Sequence, residues 1–333
     1  MDPHQDVGQK HQKRRAGPRE HQPFGDAFVN LVLAGGAHRC VAFLGFLRAA
    51  RADGGLRRVR NVVGASAGAI VGLAFCLDVD DDAVIRSAAG AARGGLAPDL
   101  ALLIDHFGAE RTETRVAKLV TDIITAGLVL AETRRGAVGT GGRSAQQLTF
   151  RELADVTGLN LVVVATRCSD MTSRTFCVDL TPGVRVVDAV CASCAVPLLL
   201  TPVLIDGETY VDAAVSENAP VRSLRASCGP PPAPGVVDTL LLRCDPRWSL
   251  ATNDAGDRKG DDLLQFTLRI VSTLLNRAMS TDDVELGRCR VVELPRAESL
   301  PADADVLCCG VTARDMLSLY AVGVAAFSDN FTG

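Results

Sequence analysis

Aromatic residues are scarce in this chain of 333 residues: 4% of the sequence, with one Trp and two Tyr. Ala, Val, Leu and Gly take their place, a composition suited to close packing of helices on a sheet. Histidine is scarcer and oddly placed, at His4, His11, His21, His38 and His106, with none further on. A hydrolase whose triad runs Ser, then Asp or Glu, then His needs a late histidine, so that arrangement is excluded. Cysteines number eleven, yet they form no paired framework. Cys191-Ala192-Ser193-Cys194 is a lone C-x-x-C and Cys308-Cys309 are adjacent, which yields neither a zinc set nor a disulfide pattern. Reduced thiols in an intracellular protein are expected. The start of the chain lacks the apolar core of a signal peptide. The most apolar long run, Ala189 to Ile205, is broken by Pro197 and Pro202 and reads as buried core rather than a membrane span. Contact with lipid is therefore expected to be peripheral. No internal repeat is present, and a net charge of −4 gives no general attraction to nucleic acid.

What remains, 47% hydrophobic and 22% charged residues, is ordinary for a globular enzyme and enough for a sizeable core. Residues 1–26 are polar, carry the basic cluster Lys13-Arg14-Arg15 and show no apolar period, so a disordered tail is expected there. Structure is expected to start with the apolar strand Ala27 to Leu33. The loop Ala34-Gly35-Gly36-Ala37-His38-Arg39-Cys40 follows, then a buried helix from Val41 to Ala50. Strand, glycine loop and helix make half of a βαβ unit, with loop N–H groups free to face an anion. Neither the G-x-G-x-x-G of a dinucleotide site nor the Gly-Lys-Ser/Thr of a P-loop is present. A second β-branched run, Val59 to Val63, ends in Gly64-Ala65-Ser66-Ala67-Gly68. Gly-x-Ser-x-Gly between a strand and a helix is a nucleophile elbow, which lifts one hydroxyl above a helix N-terminus. A tight turn whose serine merely caps the helix is the alternative. Consecutive strands of a βαβ unit are usually neighbours, which brings Ser66 beside the glycine loop.

Further on, helices are expected around Ala83 to Ala92 and Val116 to Ile124, then a Gly-rich loop from Ala137 to Gln147. Thr149 and Glu152 form a capping box for another helix. A strand over Leu159 to Thr166 pairs with Thr175 to Asp179, and a small-residue helix covers Val186 to Cys194. Asp206-Gly207 turns a hairpin that runs from Pro202 to Val211. Asp206 is explained as a turn residue, whereas Asp212, flanked by small residues, is the better candidate for chemistry. A strand over Val236 to Arg243, a surface loop from 245 to 260, a helix over Asp262 to Met279, a strand over Arg290 to Leu294 and a helix from Thr312 to Ser328 complete the chain.

With no late histidine, the base for a nucleophilic Ser66 must be something else, and Asp212 is the best placed carboxylate. A glycine loop, a Gly-x-Ser-x-Gly elbow, Ala192-Ser193-Cys194-Ala195-Val196-Pro197 and Tyr210-Val211-Asp212-Ala213-Ala214 with Asn218-Ala219-Pro220 occur in this order. The set resembles the patatin-like phospholipases over most of residues 28–330. The resemblance implies an α/β fold of three layers, α/β/α, with a mostly parallel central sheet, in one domain over 27–330. It implies a Ser66–Asp212 dyad and an acyl-enzyme, with the oxyanion on N–H groups of Gly35, Gly36 and Ala37 and with support from Arg39. It further implies lipid acyl hydrolysis of the phospholipase A type, no metal or other cofactor, and a membrane or lipid-aggregate surface as partner. A catalytically silent lipid- or partner-binding relative and an esterase or acyltransferase are the competing readings. The chain departs from the family pattern at Ala37, Cys40 and Ala213, each standing where relatives have glycine. If those glycines are held at positive φ, each replacement costs roughly 1 kcal/mol or more; if they serve only close approach, the cost is small.

Overall fold

The computed structural model describes residues 28–92, 115–134, 144–197, 200–230, 233, 235–245, 289–295, 297 and 311–331. The tail 1–26, His106, most of the loops expected at 137–147 and 245–260, the helix expected over 262–279 and Cys308-Cys309 lie outside these residues.

The helices are α1 (Val41–Ala52), α2 (Ala67–Leu77), α3 (Asp81–Ala92), α4 (Arg115–Arg134), α5 (Phe150–Thr157), α6 (Val186–Ser193), α7 (Val221–Cys228) and α8 (Ala313–Phe331). The strands are β1 (Asn30–Leu33), β2 (Asn61–Ala65), β3 (Asn160–Arg167), β4 (Thr172–Phe176), β5 (Val203–Ile205), β6 (Glu208–Val211), β7 (Thr239–Cys244) and β8 (Arg290–Leu294). All eight strands form one sheet in the order β5-β6-β3-β2-β1-β7-β8, with β4 also on β3. The run β3-β2-β1-β7-β8 is parallel throughout. A parallel sheet is covered on both faces, so its strands read as unbroken apolar runs. Here Leu31 to Leu33, Val162 to Val164 and Leu240 to Leu242 are all buried.

Side chains alternate between the faces. Leu31, Leu33, Leu161, Val163, Leu240 and Leu242 join one large core with α1, α2, α4, α6 and α8. Val32, Val63, Val162, Val164 and Leu241 point the other way and meet Val221 and Leu224 of α7. The result is the three-layer α/β/α arrangement around a mostly parallel sheet that the sequence led us to expect. Helix α2, almost entirely small and apolar, is buried nearly all round, as such a composition requires.

Register is pinned at the lower edge of the sheet by a row of asparagines. Asn30, Asn61 and Asn160 stand opposite one another on β1, β2 and β3. Asn61 Nδ2 donates to Asn30 Oδ1 at 2.8 Å and Asn160 Nδ2 to Asn61 Oδ1 at 3.2 Å. A slip of one residue breaks these bonds and turns every apolar side chain to the wrong face.

The expected capping box of Thr149 with Glu152 opens α5, and Thr312 with Asp315 forms another at the start of α8. The hairpin turn has Asp206 and Gly207 both at positive φ (51° and 81°), as a type I′ turn needs. Several strands are shifted from expectation: β1 starts at Asn30 rather than Ala27, and β2 spans Asn61–Ala65 rather than Val59 to Val63. β4 starts at Thr172 rather than Thr175, because Asp170 accepts the Thr172 N–H at 3.1 Å and closes the preceding turn early. β7 starts at Thr239, since Val236 and Val237 are exposed rather than in the sheet.

Helices α1 and α8 cross with their backbones in contact. A Cβ on Gly323 would overlap the Ala42 carbonyl oxygen, and one on Gly45 would overlap that of Tyr320. The expected outcome for Gly323→Ala is a loss of roughly 1–3 kcal/mol in stability as the helices are forced apart. It is measured as a lower urea midpoint at unchanged m value.

Candidate active site

Strand β2 delivers Ser66 at the carboxyl edge of the sheet, and α2 begins at the next residue. Ser66 adopts φ 51° and ψ −129°, a conformation rarely taken by a residue with a side chain. Glycine is required on either side because the strand and the returning helix nearly touch. A Cβ on Gly68 would run into the Leu33 and Ala34 carbonyl oxygens, and one on Gly64 into the Ala69 backbone. The turn is thus the elbow that Gly-x-Ser-x-Gly foretells. Its hydroxyl sits in the positive end of the α2 dipole.

Asp212 reaches Ser66 through the pairing of β3. Residues 163 and 164 of β3 pair with both β2 and β4, so these two strands lie on opposite edges. Thr166 and Arg167 pair with both β4 and β6, so β6 takes the edge that β2 leaves when it turns at Ala65. The first residue after β6 is Asp212, which therefore arrives at the elbow. Ser66 Oγ donates to Asp212 Oδ2 at 2.7 Å across 146 positions of sequence. The other carboxylate oxygen accepts the Ala214 N–H at 2.8 Å. Thr166 Oγ1 donates to the Asp212 carbonyl at 2.8 Å. Asp212 is 1% exposed, and burial raises its pKa from the ordinary 3.8 to about 6, against the pull of the Ala214 and Ser66 hydrogen bonds.

The glycine loop lies alongside. Gly35 has no room for a side chain: its Cβ would meet Asn218 Oδ1 and come within 3.2 Å of Ser66 Cβ. Its N–H is donated to the Asn218 carbonyl at 3.0 Å, while Asn218 Nδ2 donates to the Gly35 carbonyl at 3.3 Å. That takes the Gly35 N–H out of the three loop donors expected to receive an anion. Arg39 does not extend into the cleft as a free cation. It is buried, and its Nε donates to the Gly36 carbonyl at 3.0 Å, bracing the loop.

The three departures from the family glycines now separate. Cys40 has helical backbone angles (φ −65°) and Ala213 lies in a short 3-10 turn without positive φ, so neither position needs glycine. Ala37 alone stands in the left-handed region, at φ 50°.

His38 makes no hydrogen bond to Ser66 or Asp212, since both its ring nitrogens are buried without a partner among the described residues. Burial, and then the charge of Arg39, lower its pKa to about 4 against the opposing pull of Asp315, so the ring is neutral. The second buried acid of this region, Glu217, is occupied at the start of α7 by the Arg222 and Ser223 N–H groups and the Ser223 hydroxyl. Among the described residues, no three His, Cys, Asp or Glu side chains are arranged to hold a metal ion, and no helix is long and apolar enough to cross a membrane. A cavity of about 250 Å³ lined by Leu44, Arg48, Arg51, Phe75, Asp78 and Arg134 lies at the far end of α2, with Arg51 and Arg134 paired to Asp78.

Sequence reasoning did not assign roles to Thr166, Asn218 or Ser193. Thr166 is a polar residue that follows an apolar run, and Ser193 lies in the block 192–197 that carries the family resemblance; those are the signals that mark them. Replacing Ala37 with glycine removes the left-handed strain, so Ala37→Gly is expected to raise the stability by about 1 kcal/mol. A denaturation curve that moves down instead would show that the alanine methyl is worth more than the strain it carries.

Residues 31–225 match the family model for patatin-like phospholipase, a span that holds the glycine loop, the elbow and Asp212. No curated protein matches the sequence. Solved structures with a similar backbone include VipD from Legionella pneumophila, at 15% identity and a TM-score of 0.42, where the match covers 89% of this chain and 67% of VipD. They also include ExoU from the type III secretion system of Pseudomonas aeruginosa, crystallised with SpcU, at 16% identity and a TM-score of 0.48. That match covers 99% of this chain but 61% of ExoU, so the chain spans under two thirds of that relative's length. The family model alone accounts for more than half of the chain, and on that ground the chain belongs to the patatin-like phospholipase family.

Proposed function

We propose that the chain is a lipid acyl hydrolase of the phospholipase A type that works through a Ser66–Asp212 dyad. The observation that carries this reading is the 2.7 Å hydrogen bond from Ser66 Oγ to Asp212 Oδ2 in a buried position at the head of α2. Asp212 takes the hydroxyl proton as Ser66 attacks the ester carbonyl. The raised pKa suits this task, because a base near 6 holds a proton better than an ordinary aspartate and is still mostly ionised at neutral pH. The tetrahedral oxyanion is received by the N–H groups of Gly36 and Ala37, with the α2 N-terminus adding its field. Asp212 returns the proton to the departing alcohol, leaving an acyl ester on Ser66. Water, activated by the same carboxylate, then releases the fatty acid and restores the hydroxyl. A membrane or lipid-aggregate surface is the partner this substrate implies, approached peripherally. We assign the lipase function to residues 27–330 and treat residues 1–26 as a tail outside that domain.

The test is reaction with a fluorophosphonate probe. Wild type is expected to be labelled and Ser66→Ala not at all, with Asp212→Asn slowed by roughly 100-fold or more. The wild-type rate should fall about tenfold per pH unit below about 6 as Asp212 is protonated. Hydrolysis of phospholipid vesicles, set against neutral lipid emulsions and short p-nitrophenyl esters, identifies the ester class. Equal turnover of all three, or of the soluble esters alone, would rule out the phospholipase reading.

The same shift has a consequence for stability. Between pH 3.8 and about 6 the folded chain keeps a proton on Asp212 that the unfolded chain has lost, so stability from this group falls as the pH rises through that window. Above it the buried charge opposes folding by something on the order of 3 kcal/mol. Asp212→Asn is therefore expected to be inactive yet more stable than wild type at pH 7.5, as read by the urea midpoint.

A further inference from the structure

The end of α6 touches both members of the proposed dyad. Ser193, its last residue, is fully buried, and its Oγ accepts the backbone N–H of Ser66 at 2.8 Å. Two residues on, the Ala195 carbonyl accepts the backbone N–H of Asp212 at 2.9 Å. The thiol between them, on Cys194, is buried beside the Ser66 hydroxyl and the Asp212 carboxylate. The segment is itself anchored to the helix, since Cys194 N donates to Val190 O at 3.1 Å and Ala195 N to Ala192 O at 3.3 Å.

Each bond answers a local need. Ser66 follows the last paired residue of β2, so its N–H has left the ladder. It also precedes α2, where the first N–H groups have no partner within the helix. A buried N–H without an acceptor is costly, and a strained φ/ψ pair persists only where its surroundings hold it. The Ser193 hydroxyl meets both requirements at once. On the other side, the Asp212 backbone is held from two directions, by Ala195 through its N–H and by Thr166 through its carbonyl.

We propose that residues 193–195 act as a positioning clamp that fixes the spacing of Ser66 and Asp212, with the Ser193 hydroxyl as the element that mutation can remove. This rests on the dyad reading above. Ser193 touches no substrate, so its loss should act on turnover rather than on binding. With Ser66 released, its hydroxyl drifts from Asp212 and the carboxylate loses a hydrogen bond that favours its charged form. The acidic limb of the pH–rate profile then moves upward.

The experiment compares wild type, Ser193→Ala, Ser193→Cys, Ser193→Thr and Asp212→Asn. It measures fluorophosphonate labelling across pH, steady-state hydrolysis of p-nitrophenyl butyrate, and amide hydrogen exchange at Ser66. Ser193→Ala is expected to lower kcat by roughly 10- to 100-fold with KM within twofold of wild type, since small misplacements of reacting groups have effects of this size. Its acidic limb should rise, and Ser66 exchange should be faster. Ser193→Cys, close in size but a weak acceptor, gives the same pattern if the alanine variant does not fold. Ser193→Thr, which retains the hydroxyl, should recover kcat in part. A folded Ser193→Ala or Ser193→Cys with wild-type kcat and an unmoved acidic limb overturns the clamp while leaving the dyad in place. A wild type that takes up no label, or an Asp212→Asn that labels normally, overturns the dyad instead. In that event Ser66 exchange still decides the clamp geometry: acceleration in the Ser193 variants supports it and unchanged exchange sinks it.

Discussion

The site depends on a difference in length between two neighbouring strands. β2 has five residues and β3 has eight, and they are paired only as far as Ala65 and Val164. Beyond that point the edge of β3 is open, and unpaired backbone groups inside a protein must find partners. β6 fills the gap in the opposite direction, through Thr166 and Arg167. An antiparallel strand entering there necessarily ends against the elbow, and its next residue is Asp212. Were β2 to run two residues further in the sheet, Ser66 would be an ordinary strand residue and β6 would have no edge to occupy.

Around that junction the protein gathers several unfavourable features. Ser66 and Ala37 hold positive φ without being glycine, and Asp212, which has no ion pair among the described residues, is buried. Each such feature costs on the order of 1–3 kcal/mol. They are tolerated because the surrounding layers are rigid: cores on both faces of the sheet, the asparagine row that holds its lower edge, and the glycine contact between α1 and α8. Local strain concentrated at one place within a self-consistent fold is the usual mark of a functional site. The polar groups here are also arranged economically. Asn218 clasps the glycine loop through its own backbone and side chain, and Arg39 spends its charge on the Gly36 carbonyl rather than on solvent.

Burial, with no positive neighbour among the described residues, raises the pKa of Asp212. An aspartate beside an arginine or lysine is held ionised and becomes a weaker base; desolvation has the opposite effect. Of the basic residues of the glycine loop, Arg39 is engaged with the Gly36 carbonyl and His38 is neutral. The absence of a histidine late in the chain is thus matched by a carboxylate environment suited to taking a proton.

Much of this was legible in the sequence because it is encoded locally. The elbow needs small residues at fixed offsets, the hairpin needs Asp-Gly, and helix starts need Thr with Glu or Asp three residues on; all of these are contacts within a few positions. The first βαβ unit was readable from two apolar runs with a glycine loop and a helix between them, whereas the mostly parallel sheet as a whole was implied by the family resemblance. Ser66 and Asp212 were singled out by elimination and motif, and a chain order without late histidine pointed to a carboxylate. What only the tertiary structure decided involves groups far apart in sequence. It engaged the Gly35 N–H, one of the donors expected in the glycine loop, with the Asn218 carbonyl across 183 positions. It put the cost of the missing glycines on Ala37 alone, because backbone angles depend on where the loop must pass. And it set Ser193 against Ser66, because a hydroxyl in an apolar helix shows no purpose until the strand that lacks its hydrogen bond is packed beside it.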